Sequence, residues 1–286
     1  MRLNIMMNIF FCVNNTYAEQ LLVTIISILE NNLEQNIVFH VLSSDFSDES
    51  KMMLKNTLKK YRNFKIKYIV VNKKYFIDSN LKNNIKYISL ETYYRYIIAD
   101  IAPNLNKALY LDADLIVNGN LNELYNVDLA NNYCAGVKDK FIEETDYKHK
   151  LGISSNEIYI NAGVILFNLN KMRNDNISEK LLSNTTKLAE QIEYQDQDII
   201  NITFRGQIKE VDSRYNFASS NVIREKSKIK KAIIIHYTGP IKPWNENCKH
   251  KLRNLWKKYY NIMLVLQGRN KETVFDKIMK FIGATK

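Results

Sequence analysis

The sequence predicts an α/β protein built around a mostly parallel sheet, on three observations. Apolar, β-rich runs alternate with runs of helical period from the N-terminus onward, the pattern of strands laid side by side by crossover helices. One apolar run, Lys107 to Leu111, leads straight into the acidic triplet Asp112-Ala113-Asp114, and open α/β sheets bind ligands at the carboxyl ends of their strands. The 286 residues are 46% hydrophobic and 25% charged, with 8 Gly and 3 Pro. That composition supplies a sizeable core and excludes disordered, collagen-like and linker-rich architectures.

The first strand runs from Ile5 to Val13. Asn4 and Asn8 interrupt its apolar run and no small-residue cleavage site follows, so it reads as a buried strand and not as a signal peptide. Thr16 and Glu19 have the spacing of a capping box, which opens a helix through Leu22, Ile25, Ile26 and Leu29. Ile37 to Leu42 forms the second strand. Ser47, followed by Asp48 and Glu49, starts the next helix, the acids favouring its positive end. Lys65 to Val71 is the third strand, and no Gly-rich phosphate loop lies at any of these turns. Glu91 to Asp100 reads as a helix ending before Pro103. Cys134 to Val137, Ile158 to Asn168 and Ala232 to Ile235 are later strands, and Gln195 opens another helical run. No repeat or low-complexity linker divides the chain, so residues 1–248 read as one domain and 249–286 as a tail.

Charge separates these two parts. The chain carries 41 Lys and Arg against 30 Asp and Glu, a net of +11, but residues 249–286 alone hold ten of the bases and only two of the acids. The body is therefore nearly neutral and the tail strongly cationic. Leu252, Leu255, Trp256, Tyr259, Met263 and Leu266 fall on one helical face, and Val274, Phe275, Ile278, Met279 and Ile282 repeat the pattern beyond Gly268. The first of these basic amphipathic helices reads equally as a domain-packing and an interface helix. The second reads as a binder of an anionic membrane surface. No run reaches the length needed to span a bilayer. Cys12, Cys134 and Cys248 are odd in number and widely spaced, which implies no disulfide framework. A cytoplasmic protein, peripheral at the inner membrane face through its tail, is the expectation.

Asp112 and Asp114 carry the strongest chemical signal. Residues i and i+2 of an extended chain point the same way, so both carboxylates can meet at one point. An isolated acid pair is more often a solvated turn, but here a buried strand precedes it. Two hard oxygen donors suit Mg²⁺ or Mn²⁺ gripping a diphosphate. His236 ends another apolar strand, and its imidazole shifts the preference towards Mn²⁺. Gly239 then permits close approach and Lys242 can neutralise phosphate oxygens within a turn stiffened by Pro240 and Pro243. Asp196 and Gln197 begin a helix. Asn161 and Gly163 lie within a strand, where glycine marks a close backbone approach.

The segments LYLDADLIV (109–117), YINAGVILFNL (159–169), YQDQDIIN (194–201) and HYTGPIKPW (236–244), with ETYYR (91–95), resemble glycosyltransferase family eight, and within it the bacterial lipopolysaccharide α-galactosyl- and α-glucosyltransferases. The resemblance implies a single Rossmann-like nucleotide-sugar-binding domain of the GT-A type. It further implies transfer of galactose or glucose from a UDP-sugar to a saccharide acceptor, with retention and with a Mn²⁺ or Mg²⁺ cofactor. Asp112, Asp114 and His236 match the family's metal ligands, and Gly239 and Lys242 its diphosphate contacts. Arg95, Asp139, Asn161, Ala162, Asp196 and Gln197 match donor-sugar positions. Cys12, Val13, Asn14, Thr16 and Tyr17, with Ala113 of the acidic triplet, match the nucleotide site. Asn14 departs from an acidic residue common among relatives. The catalytic group implied is Gln197 near the anomeric centre, with Asp196, Asp139 and Arg95 around it; same-face attack is favoured because no carboxylate nucleophile stands out. Two alternative functions fit the residues less well. A metal-dependent phosphatase of haloacid-dehalogenase type would place its acidic motif near the N-terminus and has no use for His236. A nucleic-acid-binding module needs a basic aromatic face that only the tail offers.

Overall fold

The computed structural model describes residues 6–73, 76 and 89–269. Among the described residues ten strands form in chain order: β1 Met7–Cys12, β2 Ile37–Ser43, β3 Phe64–Val70, β4 Lys107–Leu111, β5 Leu115–Val117, β6 Cys134–Lys138, β7 Ile160–Asn168, β8 Ile208–Glu210, β9 Phe217–Ala218 and β10 Ile234–His236. Seven of them make one sheet in the order β3-β2-β1-β4-β7-β6-β8, and three make a small second sheet, β5-β10-β9. The large sheet is mostly parallel. The first three strands pair parallel, as the alternating pattern predicts, and only β7 runs against its neighbours β4 and β6.

β1, β2, β4 and β7 are buried almost throughout, and their continuous apolar runs are what a sheet covered on both faces requires. Helix α1 (Ala18–Asn31) covers one face with Leu21, Leu22, Ile25, Ile26, Ile28 and Leu29. Thr16 and Glu19 do not form the capping box their spacing suggests. The Thr16 hydroxyl donates to Asn14 Oδ1 at 2.6 Å, residues Asn15–Tyr17 wind as a single 3₁₀ turn, and α1 begins after it without a side-chain cap. Helix α2 (Asp48–Thr57) is capped as expected, with Ser47 Oγ accepting from Ser50 N. Residues Leu90–Ile97 are 3₁₀ and not α, and only Ile98–Ile101 continues as a short α-turn. Three residues per turn eclipses positions i and i+3, which puts Thr92 and Arg95 on one edge, Nη2 donating to Oγ1 at 2.7 Å.

The described part of the tail belongs to the core. Helix Arg253–Leu266 lies on α1, burying Trp256, Tyr259 and Met263, and Asn31 Nδ2 donates to Tyr259 Oη at 2.8 Å. The second amphipathic stretch lies outside the described residues. Among the described residues no helix is long and apolar enough to cross a membrane.

Candidate active site

Chain topology fixes where the site must be. β1 connects to β2 on one side, while the strand on its other side is β4, and the gap between the carboxyl ends of two such strands is a ligand-binding crevice. β1 delivers Cys12 to Asn14 there and β4 delivers Asp112. β6 runs parallel to β4, so Asp139 emerges at the same edge; β7 runs the other way and begins there at Ile160, with Asn161 next. The small sheet brings the last partner. β5 and β10 pair antiparallel with Leu115 opposite His236, and Tyr237 N donates to Asp114 O at 3.1 Å. A pairing between segments far apart in sequence thus sets His236 beside the acidic triplet. The resulting cavity is about 590 Å³.

At one end Asp112, Asp114 and His236 each offer a ligand atom, all within 4.8 Å of one another. His236 Nε2 lies 3.1 Å from Asp114 Oδ1 and 3.7 Å from Asp112 Oδ2. Asp114 Oδ1 is buried, and no hydrogen-bond donor among the described residues satisfies it. The room between these groups exists because residue 163 is glycine. A Cβ there would lie 2.1 Å from His236 Cε1 and 2.8 Å from Asp112 Oδ2. Oxygen and imidazole donors, an unsatisfied buried oxygen and a cradle that one methyl group would fill together fit a divalent cation. Lys242 completes this end, its Nζ 2.5 Å from Asp114 Oδ2 and donating to Tyr237 O at 2.9 Å. Burial disfavours the charge on Asp114, but the Lys242 ammonium outweighs it and holds the carboxyl well below the usual range. Burial likewise works against the Lys242 ammonium, and Asp114 more than compensates.

At the other end each polar group already has a protein partner. Arg95, 3% exposed, donates Nη1 to Ala162 O at 2.6 Å and pairs with Asp196 Oδ2 at 3.2 Å and Asp112 Oδ1 at 3.1 Å, over the face of Tyr110. Asp196 Oδ1 accepts from Thr92 Oγ1 at 3.0 Å. Burial raises Asp196 to about 6, with Arg95 opposing and Asp112 adding to the shift. Gln197 Oε1 accepts from Ala162 N, and its Nε2 faces Asp139 Oδ2 at 3.2 Å. Gln195, ahead of both, has φ 48°, a left-handed backbone uncommon outside glycine. The turn it makes folds Glu193 N and Tyr194 N back onto Asp198 Oδ2, at 2.9 and 2.7 Å.

Of the residues singled out in the sequence, the cavity is lined by Cys12, Val13, Asn14 and Tyr17 on one wall and by Arg95, Asp112, Ala113 and Asp114 on its floor. Asn161, Ala162, Asp196, Gln197, His236, Gly239 and Lys242 complete it. Thr16 and Asp139 do not line it. Thr16 is exposed and turned onto Asn14; Asp139 stands behind Asn161 and Gln197, its Oδ1 capping the short helix Lys140–Glu143. Burial pushes the Cys12 thiol far up, so it is a neutral piece of wall. Tyr110, Asp198 and Asn216 also belong to the site, without a motif in the sequence that announces them. Tyr110 donates to Asp112 Oδ1 at 2.5 Å, and its position two residues before Asp112 on a strand is the one signal that pointed to it. Asp198 and Asn216 carry no such local signature.

The profile of glycosyl transferase family 8 matches residues 8–248. A putative glycosyltransferase of Haemophilus influenzae is 36% identical over 251 residues, 85% of this chain and 74% of that protein. The lipopolysaccharide 1,2-glucosyltransferase of Escherichia coli is 30% identical over 273 residues, 89% of this chain and 78% of that one. Among solved structures, the galactosyltransferase LgtC in complex with donor and acceptor sugar analogues superposes with a TM-score of 0.82 at 30% identity, covering 89% of this chain and 95% of its own. The mixed α/β architecture with its mostly parallel seven-stranded sheet is that of the GT-A glycosyltransferases. These matches decide against the phosphatase and nucleic-acid readings.

Proposed function

The chain belongs to glycosyl transferase family 8, and on that premise we propose that it moves galactose or glucose from a UDP-sugar to a saccharide acceptor, with retention of configuration and with a divalent metal, Mn²⁺ foremost. One observation carries the reading: the meeting of Asp112, Asp114 and His236 around a space that only a glycine at 163 leaves open. A cation held there supplies Lewis-acid charge to the departing diphosphate.

The chain's own residues account for the rest. The ammonium of Lys242, 9% exposed, stands where it can share a second anion with Asp114 and balance leaving-group charge. Arg95 and Asp196 shape the floor under the sugar. Gln197, fixed by Ala162 N and Asn161 Nδ2 on one side and Asp139 on the other, stands beneath the anomeric centre. Every nearby carboxylate is committed: Asp139 to Asn161, Gln197 and a helix N-terminus; Asp196 to Thr92 and Arg95; Asp198 to two tyrosines and two backbone amides. That favours same-face attack, the acceptor hydroxyl passing its proton to the departing diphosphate oxygen. A glycosyl adduct trapped on any of the three carboxylates overturns it in favour of double displacement.

Lipopolysaccharide or another cell-surface glycan is the acceptor class proposed, by likeness to the relatives named above. The sequence of residues 270–286 supports attachment to an anionic membrane surface at the cytoplasmic face. Flotation with anionic vesicles, comparing the full chain with one ending at Gln267, tests this; equal binding by both defeats it. For the enzyme itself, purified protein with Mn²⁺ is assayed for hydrolysis and transfer across a panel of UDP-sugars. Turnover of UDP-galactose or UDP-glucose, abolished by Asp114→Ala and by EDTA, is the expected result. No turnover of any UDP-sugar, with UDP binding unchanged by Asp114→Ala, defeats the proposal.

A further inference from the structure

Two asparagine side chains join the sugar end of the cavity to the metal end, and neither is free to flip. Gly163 N–H donates to Asn161 Oδ1 at 3.1 Å, while Asn161 Nδ2 faces the Asp139 carboxylate at 3.1 Å. A backbone N–H only donates and a carboxylate only accepts, so the Asn161 amide has one orientation. Its Oδ1 also receives Asn216 Nδ2 at 2.9 Å. Asn216 must then present its own oxygen on the far side, where His236 Nδ1 lies 3.0 Å away. That oxygen accepts only a hydrogen, so Nδ1 carries one and Nε2 is left to face Asp112 and Asp114.

We infer that Asn216 is a positioning residue that holds His236 in the ring orientation and tautomer a metal requires, by a chain of hydrogen bonds that starts at Asp139 and Gly163. The inference rests on Asp112, Asp114 and His236 being the metal site. Asn216 is 2% exposed, so water cannot easily replace its oxygen. Its place is fixed from two directions: it ends the 3₁₀ turn Ser213–Tyr215, and the strand that follows, β9, pairs with β10 so that Ala218 lies opposite His236. Metal-bound histidines depend on a partner of this kind at the second nitrogen, and losing it costs 10–100-fold in metal affinity.

The test is Mn²⁺ binding by the full chain, followed by the EPR signal of free Mn²⁺, alone and with UDP present. Wild type is compared with His236→Ala, Asn216→Leu and Asn216→Asp, each checked for a native circular dichroism spectrum and cooperative melting. Asn216→Leu removes both hydrogen bonds while keeping the branched outline of the side chain, and is expected to weaken Mn²⁺ binding roughly 10–100-fold. Asn216→Asp restores an acceptor for Nδ1–H while losing the donor to Asn161, and is expected to stay within a few-fold of wild type. A role confined to packing predicts the opposite order, because the aspartate puts a buried charge against Asn161 Oδ1. Wild-type affinity in the leucine variant, or equal loss in both, overturns the inference; Asn216→Ala replaces Asn216→Leu if the latter does not fold. Equal Mn²⁺ binding by wild type and His236→Ala brings down the metal site itself, and the inference with it.

Discussion

The two ends of the cavity solve opposite problems. At the sugar end, Arg95, Asn161, Asp196 and Gln197 are each held by protein partners, and the shape of the floor exists before any substrate arrives. At the metal end two carboxylates and an imidazole face one another, and among the described residues a buried oxygen of Asp114 has no hydrogen-bond donor; Asp196 Oδ2 at the sugar end also lacks one, but it has the permanent charge of Arg95 3.2 Å away. The first end is preorganised by satisfaction and the second by deficit. Each deficit is a demand for positive charge, part of it met by Lys242 in the protein alone. The contrast separates a floor whose shape is set within the protein from a cluster that still calls for a cation.

Gly163→Ala is the sharpest way to break this contrast, because residue 163 stands between the two ends. The added methyl cannot share space with His236 and Asp112, whereas overpacking a folded core costs about 1–3 kcal/mol, which a domain of this size survives. We expect a folded protein whose Mn²⁺ affinity and kcat/KM fall about 100-fold or more. Unchanged metal binding would show that the cradle is not where the cation sits. Gln197→Ala tests the other end. It should lower kcat about 100-fold, as removal of a single preorganised polar group does, and leave the Mn²⁺ titration as in wild type. Parallel loss of metal affinity would mean that the two ends are one unit.

How far the sequence revealed this pocket follows the same division by range of interaction. β1, β2 and β4 fell within a residue or two of their predicted spans, since each is announced by its own apolar run. That Asp112, Asp114 and His236 gather at one edge beside the glycine at 163 was legible because a strand's end and a glycine within a strand are local signs. The antiparallel run of β7 was not, because strand direction is set by the connection and leaves no mark in the residues. Nor was Asn216, whose meaning depends on β5 meeting β10 and on Asn161 lying across the cleft. The Thr16–Glu19 box failed because a nearer partner, Asn14, captured the threonine hydroxyl. The amphipathic pattern of helix 253–266 was visible, but whether lipid or α1 covers it is a tertiary fact.

The pH profile sharpens the comparison further. Asp196 is raised to about 6 by burial, so at neutral pH it is ionised and holds Arg95 in place. Below pH 6 it takes up a proton, Arg95 loses one of its two carboxylate partners, and kcat/KM is expected to fall roughly tenfold per pH unit. Stability moves the other way for this group. A raised native pKa means the folded state binds the proton more tightly, so the cost of its buried charge is present above about pH 6 and fades as pH falls towards the ordinary carboxylate value. Activity should therefore decline through this window without a matching fall in Tm from Asp196. Asp196→Asn should be poorly active but flat over the same range; a wild-type slope retained in that variant would assign the titration elsewhere.

The smallest effect is expected on the wall, away from both ends. Asn14 lines the cavity with its Oδ1 engaged by the Thr16 hydroxyl, so the part it can offer a base is its NH₂ group, a donor suited to a pyrimidine carbonyl. One neutral hydrogen bond at a half-buried site is worth about 1 kcal/mol, roughly a fivefold change in binding. Asn14→Ala should raise the KM for the sugar nucleotide by about that factor and leave kcat and Mn²⁺ affinity alone, because the contact is the same in the ground and transition states. A fall in kcat would place Asn14 in the chemistry and extend the sugar end towards the wall. An unchanged KM, with UDP binding also unchanged, would remove Asn14 from the nucleotide contact.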